Sequence, residues 1–395
     1  MNKFVFEYPT HWVRDADPQN VIFLNNITSS LIEMNLLLSL IPVGYPTYGI
    51  PRIKTGNYHL SFHSYENPEN IWSYKEAPIK GLYSIDPMGY GGWSDIAQNL
   101  SRYENEINHF TNSDKILAPY ILQLKNGVSK YKQSKLKVDI EADFILFALQ
   151  VRTDSVADQA YLDVADVLEK LSEFSEQYQK RVVVKLHPKC DSELLKALVY
   201  KISQQNKWVS ISNSDITQLI QLSNCVIACN SGVSLEALIL NKKVYCFGAS
   251  EWFSITHQLT ALNQVESIFA NFDQDYHLND YQKKYLAFLL SKYWVKFDDH
   301  VAIKNKLKNM LAADHSIPAV LDLDESAQLN ILEAQKDYTK KVKKINLVER
   351  DFEKQIKIFS VHDKFHRTLI LSGFCLLKIA KISLNSSFFP KPIKR

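Results

Sequence analysis

Four short stretches carry charged, hydroxyl and glycine residues in combinations suited to binding phosphate, carboxylate or sugar hydroxyl groups. In chain order they read DPMGYGGWS from Asp86, QVRTDS from Gln150, KLHPK from Lys185 and NSGVSLE from Asn230. Each follows a short apolar run of strand length, so we expect each stretch to form the loop at a strand end.

The stretch after Gln150 places an amide, a guanidinium and a carboxylate within one turn of chain, at Gln150, Arg152 and Asp154. One interpretation is that Asp154 or Ser155 caps a helix, which is a common role for both residue types. The other is that the carboxylate of Asp154 points into a ligand cleft. Taken alone, the stretch favours the helix cap.

The valine-rich run before Lys185 ends in a basic loop that a proline interrupts. Pro188 cannot continue a strand ladder and restricts His187 to extended conformations. Lys185, His187 and Lys189 would together suit a phosphate or a carboxylate, whereas an isolated surface histidine is usually only solvated. The position at a strand end favours the binding role.

The stretch from Asn230 begins a predicted helix with Ser231 and Gly232. Free backbone N–H groups at a helix start bind anions, and glycine lets the backbone approach the ligand closely. Charge-assisted hydrogen bonds, at roughly 1.5–3 kcal/mol each, would outweigh the helix dipole at about 0.3–1 kcal/mol. Glu236 would then reach sugar hydroxyls, although Ser231 as a simple cap explains the pattern nearly as well.

The glycine-rich stretch from Asp86 sets Tyr90 and Trp93 beside a carboxylate. Aromatic rings next to glycines suit a platform for a sugar ring. A structural turn packed against aromatic side chains is an equally good interpretation.

The elements that must position these loops alternate regularly after a polar segment at 135–143. We predict strands at 144–151, 182–186, 208–211, 226–228 and 244–247, with helices at 160–180, 193–206, 216–223 and 233–240. Such alternation with short connections is typical of a parallel sheet covered by helices on both faces. Ligands bind at the carboxyl ends of the strands in these sheets, where three of the four stretches lie.

The first 140 residues have a less regular pattern. We predict a strand at Val21–Leu24, a helix from Ile32 to Ile41 stopped by Pro42, a strand at Tyr58–Phe62 and helical segments over 95–125. Residues 281–311 are predicted to be helical, 327–358 to form a charged helix and 365–384 an amphipathic stretch.

Together the motifs over residues 144–250 resemble the retaining β-Kdo glycosyltransferases of bacterial capsule and surface-polysaccharide synthesis, where Kdo is 3-deoxy-D-manno-oct-2-ulosonic acid. The matching patterns are Q-x-x-x-D-S at Gln150, K-x-H-P at Lys185, S-x-x-x-x-E-A-L at Ser231 and a K-x-V strand before Gly248. The resemblance implies an α/β fold of the GT-B type, with two Rossmann-like domains and a cleft between them. It also implies CMP-β-Kdo as the donor substrate and neither a metal nor a further cofactor.

The resemblance implies a role for each matching residue. Lys185 and His187 would contact the donor phosphate or carboxylate, Ser231 and Gly232 would hold the phosphate, and Glu236 would bind the ribose. Gln150, Arg152 and Ser155 would complete the substrate site.

Retention implies double displacement, with Asp154 as the nucleophile and a second carboxylate for proton transfer. Asp86 is the candidate for that second carboxylate. The family's corresponding loop begins with Glu or Glu-Asp, whereas this chain has Ile85-Asp86, so Glu76 is held in reserve.

Length and composition set the frame for this interpretation. A chain of 395 residues with 46% hydrophobic residues can build two domains. We place an acceptor-side domain at 1–140, a nucleotide-sugar domain at 141–275, closing helices at 276–320 and a tail at 321–395.

Five cysteines without metal-site spacing indicate reduced thiols in the cytoplasm. No secretory leader is apparent, nor any run of about 18 apolar residues that would span a membrane.

The tail differs from the rest of the chain in charge. Residues 336–395 contain 15 Lys and Arg against five Asp and Glu, whereas residues 1–335 have a net charge of −7. We expect this region to dock on the inner face of the cytoplasmic membrane, where a glycan or lipid-linked acceptor would be made, or on polysaccharide assembly proteins.

Two other functions remain open on the sequence alone. The same phosphate and ribose contacts would serve a transferase using CMP-sialic acid, and a related fold without catalysis would serve as a glycan-binding or scaffold protein. A nucleic-acid partner is not expected, because the basic tail lacks interleaved aromatics and a recognised motif.

Overall fold

The computed structural model describes residues 3–15, 17–44, 57–67, 70–130 and 140–312. All of them belong to one compact unit, Met1–Gln335. This part of the chain contains two six-stranded sheets with helices packed beside them, which confirms the predicted α/β fold class. The predicted helix at 327–358 and the amphipathic stretch at 365–384 lie outside the described residues.

Twelve strands and twelve α-helices are present in the described residues. The strands are β1 (Lys3–Pro9), β2 (Leu37–Val43), β3 (Tyr58–Phe62), β4 (Ile71–Glu76), β5 (Leu82–Asp86), β6 (Ile145–Ala148), β7 (Val182–Lys185), β8 (Val209–Ile211), β9 (Cys225–Ala228), β10 (Lys243–Cys246), β11 (His257–Gln258) and β12 (Val295–Lys296). The helices are α1 (Thr10–Arg14), α2 (Pro18–Glu33), α3 (Asp95–Gln98), α4 (Glu104–Asn108), α5 (Ser113–Lys125), α6 (Val164–Tyr178), α7 (Glu193–Gln205), α8 (Ile216–Leu222), α9 (Gly232–Ile239), α10 (Glu266–Ala270), α11 (Asp280–Phe288) and α12 (His300–Ala312).

The second sheet is entirely parallel, with the strand order β11-β10-β9-β6-β7-β8. The chain starts in the middle at β6, builds outward to β8, and then returns to build from β9 to β11. This order is the 3-2-1-4-5-6 arrangement of doubly wound sheets, whose ligand crevice opens where the direction reverses. That point lies between β6 and β9, so the loops after Gln150 and Asn230 meet there.

The first sheet has the order β12-β5-β4-β3-β1-β2 and mixes strand directions. Strands β1 to β4 run parallel, whereas β5 runs antiparallel to β4 and pairs Asp86 with Ser73. The carboxyl ends of β4 and β5 therefore lie at opposite edges of the sheet. This difference in direction decides where Glu76 and Asp86 are placed.

Two predicted elements in the first part of the chain are wrong. Val21–Leu24 lies inside α2 rather than in a strand, because Asp17 caps the helix by accepting the Gln19 N–H at 2.9 Å and Pro18 occupies its first turn. The predicted helix at 32–41 ends at Glu33 and gives way to β2. Strand β2 tolerates Pro42 because it is the edge strand of its sheet.

The chain returns to the first sheet after completing the second. A π-helical turn at Leu289–Tyr293 ends α11, and β12 then pairs antiparallel with β5. The predicted helical region at 281–311 is therefore interrupted by a strand. Helix α12 packs on α2, and its buried Ile303 and Leu307 share the hydrophobic core of the first sheet.

Helices from the first part of the chain pack on the second sheet. Ile107 of α4 and Leu117 of α5 share a hydrophobic core with Leu219 and Leu238 of the second half. Packing thus crosses the predicted boundary at residue 140. The two sheets are tied together by α4 and α5, which pack on the second sheet, and by β12 and α12, which return to the first.

Candidate functional site

A cavity of about 450 Å³ opens between the two sheets, at the carboxyl ends of β4, β6, β7 and β9. Seven of the ten predicted site residues line it: Gln150, Asp154, Lys185, His187, Ser231, Gly232 and Glu236. They come from three loops that are separated by 30 to 80 residues in sequence but meet at one edge of the parallel sheet. The reserve candidate Glu76 lines the cavity from the first sheet.

Asp154 presents a nearly unengaged carboxylate to the cavity. It caps a short 3₁₀ turn, but its hydrogen bonds from the Val156 N–H and the Ser155 hydroxyl are long, at 3.5 and 3.4 Å. The side chain is exposed. Asp154 therefore caps a helical turn, as the first interpretation of its sequence predicts. This weak cap leaves its carboxylate oxygens available for a ligand.

His187 and Lys185 form the basic wall of the cavity. Burial lowers the pKa of His187, and Lys189 acts in the same direction while Asp154 opposes it. The buried Lys185 ammonium donates to the Ser214 carbonyl at 2.7 Å, and burial lowers its pKa. An ammonium has three donors, so Lys185 retains capacity for an anionic ligand.

Gln150 extends from the end of β6 into the cavity. Within the described part of the chain, neither its amide nitrogen nor its amide oxygen has a hydrogen-bond partner, although both atoms are buried. Buried polar atoms normally find partners, so this amide is suited to a ligand or to water.

The start of α9 brings backbone and hydroxyl groups to the cavity wall. The Ser231 hydroxyl accepts the Val233 N–H at 3.4 Å, which is a weak cap. A methyl group added at Gly232 would lie 3.0 Å from the side chain of Pro78, in the loop after β4. Glycine at this position therefore allows the two halves of the molecule to approach closely.

Glu236 lies one turn into α9 and is 3% exposed. Its Oε1 accepts the Ser129 hydroxyl at 2.6 Å, whereas Oε2 has no partner among the described residues. Burial raises the pKa of Glu236 to about 7, against the opposing effect of the Ser129 hydrogen bond. A buried carboxylate with one open oxygen is suited to receive ligand hydroxyls.

The first sheet and the segment after α5 supply two lysines that the sequence interpretation missed. The Lys75 ammonium lies 4.0 Å from the centre of the Tyr90 ring, a cation–π geometry. Lys130 donates to the Glu76 and Ala77 carbonyls at 3.3 and 3.1 Å, and burial lowers its pKa to about 8. Both line the cavity. Neither belongs to a motif, because Lys75 lies within β4 and Lys130 follows a helix.

Glu251 is a further cavity carboxylate that the sequence interpretation missed. It follows β10 by five residues and is 4% exposed, and its Oε1 accepts the Gly91 N–H at 2.9 Å. Burial raises its pKa to about 6. Its position after a parallel strand is the same signal that identified the other loops.

Asp86, the predicted second carboxylate, does not line the cavity. Its carboxylate accepts N–H groups of Met88, Gly89 and Asp95 at 2.8, 3.0 and 3.2 Å, together with the Tyr293 hydroxyl. The residue is 1% exposed, and burial raises its pKa. Asp86 ends β5 and is enclosed by the glycine-rich loop that follows, which its carboxylate anchors.

Two more predicted residues lie outside this cavity. Arg152 forms an exposed ion pair with Asp163 at 3.4 Å and lines a separate cavity of about 370 Å³. The Ser155 hydroxyl lies 2.8 Å from that of Tyr90, linking the two halves. Of the predicted aromatic platform, Tyr90 lines the cavity, whereas Trp93 stacks on Tyr65 with ring centres 4.0 Å apart.

Among the residues that the structure describes, no helix combines the length and apolar character needed to cross a membrane. The same residues include no group of three or more His, Cys, Asp or Glu side chains that would hold a metal ion. The expectation that the reaction needs no metal stays a prediction.

Comparisons with known proteins give one family and several similar folds. Residues 96–289 match the family described as capsule polysaccharide biosynthesis protein, and this match confirms the resemblance drawn from the motifs. No curated protein sequence matches the chain.

Two solved structures of KpsC from Thermosulfurimonas dismutans are similar to the chain. The β-Kdo 2,7 transferase is 15% identical, with 78% of this chain and 100% of that chain covered and a TM-score of 0.42. The β-Kdo 2,4 transferase is 13% identical, with 78% and 99% covered and a TM-score of 0.45. UDP-GlcNAc 2-epimerase from Methanocaldococcus jannaschii is 13% identical, with 79% and 100% covered and a TM-score of 0.37.

Proposed function

We propose that the chain, in which residues 96–289 match the capsule polysaccharide biosynthesis protein family, is a glycosyltransferase of bacterial surface-polysaccharide synthesis. The observation that carries the proposal is the convergence of seven predicted residues on one cavity between the two sheets. The proposed donor is CMP-β-Kdo, and the sugar moves with retention to a glycan or lipid-linked acceptor.

The donor's nucleotide is assigned to the α9 side of the cavity. The N–H groups and hydroxyl at Ser231 and Gly232 receive the phosphate, where the positive end of the helix dipole adds to the attraction. The open Oε2 of Glu236 receives a ribose hydroxyl. Lys185 and His187 lie beside the phosphate or the sugar carboxylate and offset their negative charge.

Asp154 attacks the sugar in the proposed first step. One carboxylate oxygen forms a bond to the anomeric carbon while the bond from that carbon to the phosphate oxygen breaks, and the electron pair leaves with CMP. This step needs no proton, and the neighbouring cations stabilise the departing phosphate. Attack by an acceptor hydroxyl on the resulting sugar ester then restores the original configuration.

The proposal also covers the acceptor, the cofactor requirement and the cellular location of the protein. The acceptor is a glycan or a lipid-linked glycan, and no cofactor beyond the donor is required. Residues 336–395 dock on the cytoplasmic membrane surface or on assembly proteins through their positive charge. Deleting residues 360–395 should release the protein from the membrane fraction, and unchanged fractionation would contradict this docking.

Intact-mass spectrometry tests the donor and the mechanism together. We expect a Kdo-sized adduct on the wild-type protein after incubation with CMP-Kdo generated in situ, and no adduct on Asp154→Ala. CMP-sialic acid run in parallel serves as the donor control. An adduct only with CMP-sialic acid would replace the proposed donor, whereas no adduct and no CMP release with either donor would favour a binding or scaffold protein.

A further inference from the structure

The second step of the proposed reaction needs a base that the predicted residues do not supply well. An acceptor hydroxyl is a poor nucleophile until its proton is removed, and a positioned histidine or carboxylate commonly does this. His187 is already assigned to the donor phosphate or sugar carboxylate. Asp86 lies outside the cavity with both oxygens occupied by hydrogen-bond donors. A different carboxylate must therefore face the sugar ester on Asp154.

Four carboxylates line the cavity, at Glu76, Asp154, Glu236 and Glu251. Asp154 is the proposed nucleophile. Glu236 belongs to the proposed ribose site, and Ser129 already donates to it. The choice of base is thus between Glu76 and Glu251.

The surroundings of these two glutamates differ. The Glu76 carboxylate is 35% exposed and lies 3.8 Å from the Lys130 ammonium, so it is solvated and already paired with a cation. Glu251 is 4% exposed, with Oε1 fixed by the Gly91 N–H at 2.9 Å. Glu251 is therefore the better match to a base, because its carboxylate is buried, fixed in position and raised in pKa.

The position of Glu251 also fits the geometry of the cleft. It follows β10 of the second sheet, yet it bonds to the glycine-rich loop of the first half, so it lies where the two halves meet. The charged groups that act on it are Asp86 and Lys75, and Lys75 also lines the cavity.

We propose that Glu251 is the catalytic base for the acceptor, an inference that rests on the proposed transferase function. The Glu251 carboxylate takes the proton of the acceptor hydroxyl as the acceptor oxygen forms a bond to the anomeric carbon. The bond between that carbon and Asp154 breaks, and its electron pair returns to the Asp154 carboxylate. The proton then leaves Glu251 to solvent after product release.

A purely structural role for Glu251 makes a different prediction from the catalytic role. As a brace, Glu251 only holds the Gly91 N–H, and the amide oxygen of glutamine would accept that bond equally well. Glutamine cannot take the acceptor proton. Glu251→Gln therefore separates the two roles, while Glu251→Asp keeps a titratable group on a shorter side chain.

The test compares wild type, Glu251→Gln, Glu251→Asp and the matched control Glu76→Gln with CMP-Kdo and a Kdo-accepting glycan. We expect Glu251→Gln to form the adduct on Asp154 at the wild-type rate and to accumulate it. Its turnover should be slower than that of wild type by at least about 10²-fold. Azide attacks without needing a base and should release the adduct from this variant as a sugar azide. Glu76→Gln should turn over within a few-fold of wild type, and Glu251→Asp should retain part of the activity.

Three results would overturn the assignment. The first is a Glu251→Gln variant that turns over as fast as wild type. The second is accumulation of the adduct in Glu76→Gln instead of Glu251→Gln. The third is a slow Glu251→Gln variant whose adduct azide does not release. If Glu251→Gln does not fold, Glu251→Asp decides, because a brace shortened by one methylene would slow adduct formation as well as its release. No adduct on wild type overturns the proposed function itself, which is a result distinct from any behaviour of the variants.

Discussion

Two aspartates at strand ends, one in each half of the molecule, have opposite surroundings. Asp86 is 1% exposed and accepts hydrogen bonds from three backbone N–H groups and the Tyr293 hydroxyl. Asp154 is exposed, and the hydrogen bonds to its carboxylate are 3.4 Å or longer. The first carboxylate is fully used by the fold, whereas the second is available for chemistry.

The difference arises from the loop that follows each strand. Strand β6 runs parallel to its neighbours, so the loop carrying Asp154 emerges at the edge where the other functional loops emerge. Asp86 ends β5, and the loop that follows encloses its carboxylate through the N–H groups of Met88, Gly89 and Asp95. The same residue type after the same kind of apolar run thus lines the cavity in one context and is buried by hydrogen-bond donors in the other.

The largest expected effect tests the Asp154 side of this comparison. Asp154→Ala should reduce CMP release from CMP-Kdo by about 10⁴-fold or more, as removal of a nucleophile typically does. The free energy of unfolding should change by less than about 0.5 kcal/mol, because the side chain is exposed and weakly bonded. Activity and urea unfolding are measured on the same preparations. Asp158→Asn, an exposed neighbouring carboxylate, is the control, and equal losses in both variants would contradict a specific role for Asp154.

The Asp86 side predicts the reverse pattern. Asp86→Ala should lower the free energy of unfolding by about 3 kcal/mol or more, because it leaves several buried donors without an acceptor. Tyr293→Phe removes only one partner and should cost about 1 kcal/mol. Urea unfolding measures both. An Asp86→Ala protein with wild-type stability and no transfer activity would restore Asp86 to the reaction.

The second half of the molecule was predictable because its sequence repeats one simple pattern. Short apolar runs alternate with helical periods, and each predicted strand from 144 to 247 overlaps an observed one. The parallel-sheet rule then placed the loops at Asp154, His187 and Ser231 together. Glu251 obeys the same rule but was missed, because the matched pattern ends at Gly248 and the next two residues, Ala249 and Ser250, carry no charge.

The first half was predicted less well because its elements depend on contacts distant in sequence. The apolar run at 21–24 is short enough for a strand or a helix, and only the Asp17-Pro18 start signal distinguishes them. The direction of β5 follows from its pairing with β4 and β12, which no local pattern reveals. Lys130 reaches the cavity from the end of a helix, so a search of strand ends could not find it.

Glu236 is a third carboxylate to compare with Asp86 and Asp154. It is buried like Asp86, but among the described residues only one of its two oxygens accepts a hydrogen bond. Its pKa is raised from 4.5 to about 7, so the folded protein keeps this proton at pH values where the unfolded chain has released it. Stability contributed by this group is therefore greatest below pH 4.5 and declines as the pH rises to about 7. Glu236→Gln should remove this decline, so its free energy of unfolding at pH 8 should be roughly 2 kcal/mol higher than that of wild type.

Urea unfolding of wild type and Glu236→Gln at pH 5 and pH 8 measures that effect. The difference between the two proteins isolates Glu236, because Glu251 titrates in both. A constant difference across this range would mean that Glu236 is already ionised in the folded protein at pH 5. CMP should meanwhile bind the wild type more tightly as the pH rises through 7, because the ionised carboxylate is the stronger acceptor for ribose hydroxyls.

The smallest expected effect lies within the Asp154 loop itself, at Arg152. Its guanidinium is 48% exposed and pairs with an equally exposed Asp163, an arrangement worth little in water. It also lines a separate cavity, so a charge at this position should have no part in holding CMP. Arg152→Ala should therefore change the free energy of unfolding by less than about 0.5 kcal/mol and leave CMP affinity within about twofold. A tenfold loss of CMP affinity in calorimetry, with Lys185→Met as the positive control, would extend the phosphate site across the loop to Arg152.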